Sequence, residues 1–330
     1  MAKGGRDSTG GTGSTGGAGR GGQRPPARRK PPSTAAWARA SREREAERPG
    51  LLAEAPAAAP EAAPGIVVCG PRTPCRLSEI DPESHHGYGD KDAAATELDH
   101  QRKRIRKLQE RLYAERRRSL LVVLQAIDTG GKDGTIRSVF EGVNPQGCQV
   151  ASFKVPSTEE RDHDFLWRYH ARAPARGMIQ VFNRSHYEDV LVVRVKSLVP
   201  ESVWRPRYDL INDFERLLAA NGTTVLKFFL HISKDEQKRR LEARLADPKK
   251  HWKFDRGDLA ERALWDDYAG AFEDAINACS TPHAPWHVVP ANRKWFRNVA
   301  IARTIADTLE AMDPRFPEAE KGLEGVTVPD

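Results

Sequence analysis

The sequence predicts an α/β fold, a parallel sheet flanked by helices, and three observations carry that expectation. Residues 120–135, LLVVLQAIDTGGKDGT, are an apolar run of strand length that empties into a glycine turn, a lysine and helix-forming residues. Further apolar runs at 149–155, 177–182, 223–232 and 286–289 alternate with amphipathic helical stretches. Polar residues follow directly on two of these runs, at Asp128 and at Asn183-Arg184, and the carboxyl ends of parallel strands are where ligands gather.

The glycine turn has the layout of a phosphate-cradling loop. Peptide N–H groups of Thr129, Gly130 and Gly131 are expected to point into one concavity, the helix that follows aims its positive end there, and Lys132 adds a full charge. Asp133, Gly134 and Thr135 continue the loop into that helix and complete its candidate binding set. The match to G-x-x-x-x-G-K-[ST] is incomplete: Ala126 replaces the first glycine, and Asp133 replaces the hydroxyl that holds magnesium. Asp128, the nearest carboxylate, is therefore read as a metal ligand. The bland alternative is a strand with a glycine-capped turn and a solvated Lys132.

Elements on either side follow in order. Residues 90–118 are polar and helix-prone, with Leu98, Ile105, Leu108, Leu112 and Tyr113 recurring on one face, which predicts one long amphipathic helix. The strand over 149–155 ends beside Lys154, a candidate binding residue. Pro156 to Glu160 read as a helix start with a hydroxyl cap and an acidic first turn, and the helix runs towards Pro174. Arg168, Arg172 and Arg176 fall four residues apart, either a solvated stripe or a phosphate track. The strand at 177–182 ends in Asn183-Arg184, and Arg184 is placed to pair bidentately with phosphate oxygens. His186 is read as structural.

Residues 200–221 predict one helix with Val203, Tyr208, Ile211, Phe214, Leu217 and Leu218 buried. After the strand at 223–232, residues 234–257 carry Lys238, Arg239, Arg240, Arg244, Lys249, Lys250 and Lys253 around a break at Asp247-Pro248, and this is the expected cationic lid. Helix 258–278, a short strand and helix 295–312 close the domain, with Trp252 or Trp295 a candidate for stacking on a base.

Of the 330 residues, the first 75 are rich in Gly, Ser, Thr, Ala and Pro and are expected to be a disordered tail, with 313–330 a loose C-terminal tail. The N-terminal tail holds 12 Lys or Arg against 6 Asp or Glu, which leaves 41 against 40 of the totals of 53 and 46 for the rest. A nearly neutral body argues against a nucleic-acid-binding core, and Arg28-Arg29-Lys30 is read as solubilising linker. No apolar run has membrane-spanning length and no secretory signal is evident, so the expected location is the cytoplasm. Cys69, Cys75, Cys148 and Cys279 form no C-x-x-C pair and are expected to be reduced and structural.

The stretches AIDTGGKDGTIRSVFEGVNPQGCQVASFKVPS, HDFLWRYH, FNRSHYEDVLV, DPKKHWKFDRGDLAERALWDDY and PWHVVPANRKWF, together spanning about 76–312, resemble the polyphosphate kinase 2 family. The likeness is greatest to the branch of polyphosphate:nucleotide phosphotransferases acting on AMP and ADP. It implies a thymidylate-kinase-like P-loop core with a helical lid, and Mg²⁺-dependent phosphoryl transfer between inorganic polyphosphate and AMP, ADP or GDP. Carried onto matching positions, it implies metal binding by Asp128 and a hold on the transferring phosphate by Lys132 and Arg184. Arg239, Arg240, Lys249, Lys250 and Lys253 would contact polyphosphate. Asn183 stands where other branches place aspartate, and Asp133 and Asp189 are the candidates for a second metal ligand. A homo-oligomer is expected. Two rival readings are an ATP-dependent nucleoside monophosphate kinase, which the missing hydroxyl after Lys132 disfavours, and a non-catalytic nucleotide-binding scaffold.

Overall fold

The computed structural model describes residues 62–70, 73–320, 322–323 and 326–328. Strands β1 (Val67–Cys69), β2 (Ser119–Gln125), β3 (Cys148–Ser152), β4 (Ile179–Asn183), β5 (Thr223–His231) and β6 (Trp286–Pro290) form one six-stranded sheet in the order β1-β6-β5-β2-β4-β3. All pairings are parallel except that of β1 with β6. Every residue of β2 is buried, because Leu121 and Val123 face one helical layer and Leu120, Val122 and Leu124 the other. A strand covered on both faces is continuously apolar, as this one reads in the sequence.

The longer helices are α1 (Lys91–Glu115), α2 (Lys132–Val139), α3 (Arg207–Ala220), α4 (Lys234–Leu245), α5 (Trp265–Cys279) and α6 (Lys294–Met312). On one face, Ile105 and Leu112 of α1 and Val139 of α2 pack with Ile301, Ile305 and Leu309 of α6. On the other, Ile211 and Phe214 of α3 meet Phe272 and Ile276 of α5. Helix α1 begins where Asp90 accepts hydrogen bonds from Asp92 N and Ala93 N, close to the expected start. The lid segment is α4 followed by a 3₁₀ turn, Pro248–Lys253, broken at the expected Asp247-Pro248.

Four expectations are corrected. Residues 62–70 and 73–75, placed with the tail, belong to the fold: β1 extends the sheet along β6 and Ala63 is buried. The rest of that expected tail lies outside the described residues. Cys69 and Cys75 are disulfide-bonded rather than reduced, because the chain reverses through mutual Gly70 and Thr73 hydrogen bonds and brings their Cα atoms to 5.6 Å. Spacing along the sequence carries no trace of that reversal. The helix expected over 200–221 is two pieces, Glu201–Trp204 and α3, separated at Pro206, which has no N–H to continue the ladder. Val203 and Leu217, expected in the core, are exposed. The helix expected after Pro156 is also two short pieces, Thr158–Asp162 and Trp167–His170. Its start is as read, a capping box between Ser157 and Glu160, but His163 is extended and Asp164 caps a new turn.

Candidate active site

Strands β2 and β4 are neighbours in register, Leu124 opposite Asn183, so the residues that follow them open onto one crevice. From β2 the chain turns through Ala126–Gly131 into α2. The turn demands its glycines: a Cβ on Gly130 would sit 2.4 Å from Ala126 Cβ, and one on Gly131, whose φ is +100°, would sit 2.2 Å from an Arg297 nitrogen. Gly130 N–H, expected to face the ligand, donates instead to Ile127 O at 2.9 Å. The open donors are the first-turn amides of α2, from Lys132 to Gly134, which have no intrahelical partner. Thr135 Oγ1 donates to Gly131 O and is buried, so its hydroxyl braces the helix start.

Lys132 is buried under the loop with Nζ donating to Ala126 O at 3.1 Å. Burial, reinforced by the charge of Arg184, holds its pKa below the ordinary lysine value, which leaves this cation short of anionic partners. Arg184 follows β4 with a left-handed φ of +62°, reaches across the crevice to Asp128 Oδ1 at 2.9 Å, and lies 3.5 Å from Glu188 Oε2. Asn183 Nδ2 donates to Asp133 Oδ1 at 2.7 Å, which ties the second strand end to α2. A cavity of about 710 Å³ opens from here, with Asp128, Lys154, Arg168, Arg184 and Asp189 on its wall.

The other expected residues fall into two groups. Arg168 is a wall: buried, it donates to Lys154 O at 3.0 Å, lies 3.4 Å from Glu160 and sits over the rings of Phe153 and Tyr169. Both carboxylate oxygens of Asp189, expected to hold metal, already accept hydrogen bonds, from Tyr169 Oη at 2.9 Å and Arg207 Nη1 at 3.3 Å, and burial pushes its pKa up. Arg240, expected on polyphosphate, lies behind the loop and donates to Thr129 O, Gly130 O, Ala291 O and Glu236 Oε1. Arg239, Lys249 and Lys250 are exposed, and Lys253 is half-buried over Trp252 at 4.8 Å. None of these four lines the cavity. Trp252 is exposed, and Trp295 packs edge-on against His85 and Phe296.

Two supporting groups escaped the sequence reading. Arg297 of α6 is buried behind the loop beside Gly130 O, and burial together with the Arg240 charge lowers its pKa to about 9. Arg297 directly follows the stretch PWHVVPANRKWF, but nothing in its spacing from the glycine turn signals the contact. Beneath Arg184, a wholly buried cluster joins Lys227 to Glu215 at 2.6 Å, and Glu215 to His186 at 3.0 Å and Tyr187 at 2.9 Å. His186 is structural, as read from the sequence. A lysine inside the apolar run at 223–232 was the signal for this cluster.

A crevice of this kind can hold a phosphate chain between loop amides, a buried lysine and a facing arginine. The family described as Polyphosphate kinase 2 (PPK2) matches residues 88–317. The AMP/ADP-polyphosphate phosphotransferase of Meiothermus ruber is 53% identical over 253 residues, 76% of this chain and 95% of that protein. The ADP-polyphosphate phosphotransferase of Rhodopseudomonas palustris is 48% identical, covering 65% of this chain and 78% of that protein. The crystal structure of Polyphosphate Kinase 2 from Arthrobacter aurescens TC1 superposes with a TM-score of 0.75 at 46% identity, covering 81% of this chain and 96% of that one. With the family matched over residues 88–317 and a relative 53% identical over 253 residues, the chain belongs to the polyphosphate kinase 2 family.

Proposed function

We propose that this protein transfers a phosphoryl group between inorganic polyphosphate and a nucleotide, with AMP or ADP, and GDP as a further candidate, as acceptor. The observation that carries the reading is Arg184 facing Asp128 across a crevice at the joint carboxyl ends of two parallel strands, with Lys132 buried under the adjoining loop. An ATP-driven nucleoside monophosphate kinase shares such a core; the family match favours polyphosphate over ATP as donor.

In the forward step an oxygen of the nucleotide's terminal phosphate bonds to the end phosphorus of the chain. The bond from that phosphorus to its bridging oxygen breaks, and the electron pair leaves with the shortened chain. No proton has to move, so the residues' work is orientation and charge. Lys132 and the α2 amides hold the non-bridging oxygens from below, and Arg184 meets them from across the crevice. Asp128 holds Arg184 extended across the crevice, so the arginine needs little reorganisation to meet a phosphate. Arg168, Phe153 and Tyr169 form a wall that limits water.

The donor set suits Mg²⁺, which takes one or two carboxylates and completes its shell with phosphate oxygens and water. Asp128 is the half-buried carboxylate at the crevice mouth and would hold it, whereas Asp189 is already engaged by Tyr169 and Arg207. Among the described residues no group of three or more His, Cys, Asp or Glu converges on one point, which is in keeping with an ion bound partly through substrate. Held there, the ion would supply positive charge to offset the negative charge of the phosphate oxygens. The reading also carries a cytoplasmic location and a homo-oligomer. No helix among the described residues is long and apolar enough to cross a membrane.

The test is turnover by purified protein with Mg²⁺ and long-chain polyphosphate, with AMP, ADP and GDP offered separately. ATP or GTP should form, and Asp128→Ala and Lys132→Ala should each lower its rate of formation by at least about 10²-fold while keeping the wild-type circular dichroism spectrum. Phosphorylation of AMP by ATP alone, with polyphosphate inert, would overturn the reading.

A further inference from the structure

A second cavity, of about 650 Å³, runs along β3, the free edge of the sheet. Arg116, Arg172 and Arg176 line it, and the one carboxylate on its wall among the described residues, Glu160, is taken by Arg168 at 3.4 Å. Three guanidinium groups thus share a concavity without an acidic partner among the described residues. Gln180 is only 5% exposed and lines the cavity from β4, so its side-chain amide adds a polar group to this wall. Gln149, opposite Gln180 in the register of β3 and β4, adds a second amide to the same wall.

This cavity is not the reaction crevice, but it adjoins it. Phe153 and Arg168 line both, so a chain leaving the crevice would pass from one to the other over that shared wall. A nucleotide would need an enclosed apolar slot for its base. The wall here offers small side chains, Ala151, Ala171 and Ala173, beside charged and amide groups. What suits it is a string of phosphates, which asks for a row of cations and open donors and for no slot. We propose that this groove is an accessory site holding the distal phosphates of a long polyphosphate chain whose end lies in the crevice. The inference rests on the function proposed above. The enzyme would then distinguish long chains from short ones at a place remote from the transferred phosphate, through affinity and not through the chemical step.

The test is the double substitution Arg172→Ala with Arg176→Ala, both exposed positions outside the reaction crevice. The expected result is a KM for long-chain polyphosphate raised by roughly 5- to 50-fold, as loss of two charge-assisted contacts would give. Values of kcat, nucleotide KM and KM for tripolyphosphate should stay at wild-type levels, and so should the melting temperature. Equal KM values for long chains in variant and wild type would overturn the proposal, as would an equal rise for tripolyphosphate. Binding of long-chain polyphosphate, measured by calorimetry without nucleotide, separates this from failure of the functional reading. If wild type binds the polymer more tightly than the double variant yet turns nothing over, the groove stands and the reaction falls. A single-stranded oligonucleotide or ATP competing as well as polyphosphate of equal charge would overturn the assignment of the occupant.

Discussion

Arg239 and Arg240 are adjacent in sequence and opposite in task, and the same contrast separates the loop region from the lid. Arg240 is buried and spends its donors on backbone carbonyls of the phosphate loop and of the segment after β6. Arg239 is exposed and meets only Glu236 and Glu83. Around the loop, cations are fixed by the protein and act by shaping it: Arg240 and Arg297 take up its carbonyls, and the first-turn amides of α2 are the ones left open. In the lid, Lys249 and Lys250 have at most a surface partner, Lys250 with Asp247, so their charge is available to a ligand. A count of basic residues treats these two populations as one.

The largest test of the contrast is at the floor of the loop. Lys132→Ala should lower kcat by a factor of about 10²–10³, the usual penalty for removing one preorganised charge at a transition state, with no loss of thermal stability because the deleted cation is buried without a carboxylate contact. Arg240→Ala should cost about 2–4 kcal/mol of stability, since several buried carbonyls lose their donor, measured by urea unfolding. Arg239→Ala should change stability by less than about 0.5 kcal/mol. If the two substitutions proved equally damaging, the division between shaping and ligand-facing cations would be broken.

Acid sharpens the contrast in a different way. His287 is buried in β6 beside Phe228 and the Lys227 carbonyl, and desolvation lowers its pKa to about 4 from the ordinary 6.5. Between those values the unfolded chain binds a proton that the folded chain refuses, so stability is full above pH 6.5 and is lost as pH falls towards 4, by roughly 3 kcal/mol in total. Replacing His287 with Gln should flatten this slope in unfolding curves taken from pH 7 to pH 4. The smallest expected effect is in the lid: Lys249→Ala should raise the KM for polyphosphate by about 2- to 5-fold and leave kcat unchanged, consistent with an exposed charge.

The sheet and the crevice were legible because they depend on local patterns. The five apolar residues Leu120 to Leu124 before a glycine turn read as a buried strand, and Asp128 and Arg184 lie just past neighbouring strand ends with Lys132 opening the helix after the turn, so parallel pairing brings them together. What was illegible depends on contacts far apart along the chain. Arg297 touches Gly130 O across 167 residues, and Arg240 reaches the same carbonyl across 110. Asp189 has a ligand's chemistry, but Tyr169 and Arg207 reach it first, which no spacing announces. The β1 strand was hidden by composition: it is three residues long and sits at the end of an Ala- and Pro-rich stretch.

The left-handed backbone at Arg184 sets fold and activity against each other. Glycine would occupy that φ of +62° with less strain, yet it would remove the guanidinium that spans the crevice. On the role proposed for Arg184, drift at this position under selection for stability alone should run towards glycine and yield a protein with relieved backbone strain and no turnover. The arginine persists only where the reaction itself is under selection, so its identity in any relative serves as a marker of whether that lineage still uses the site.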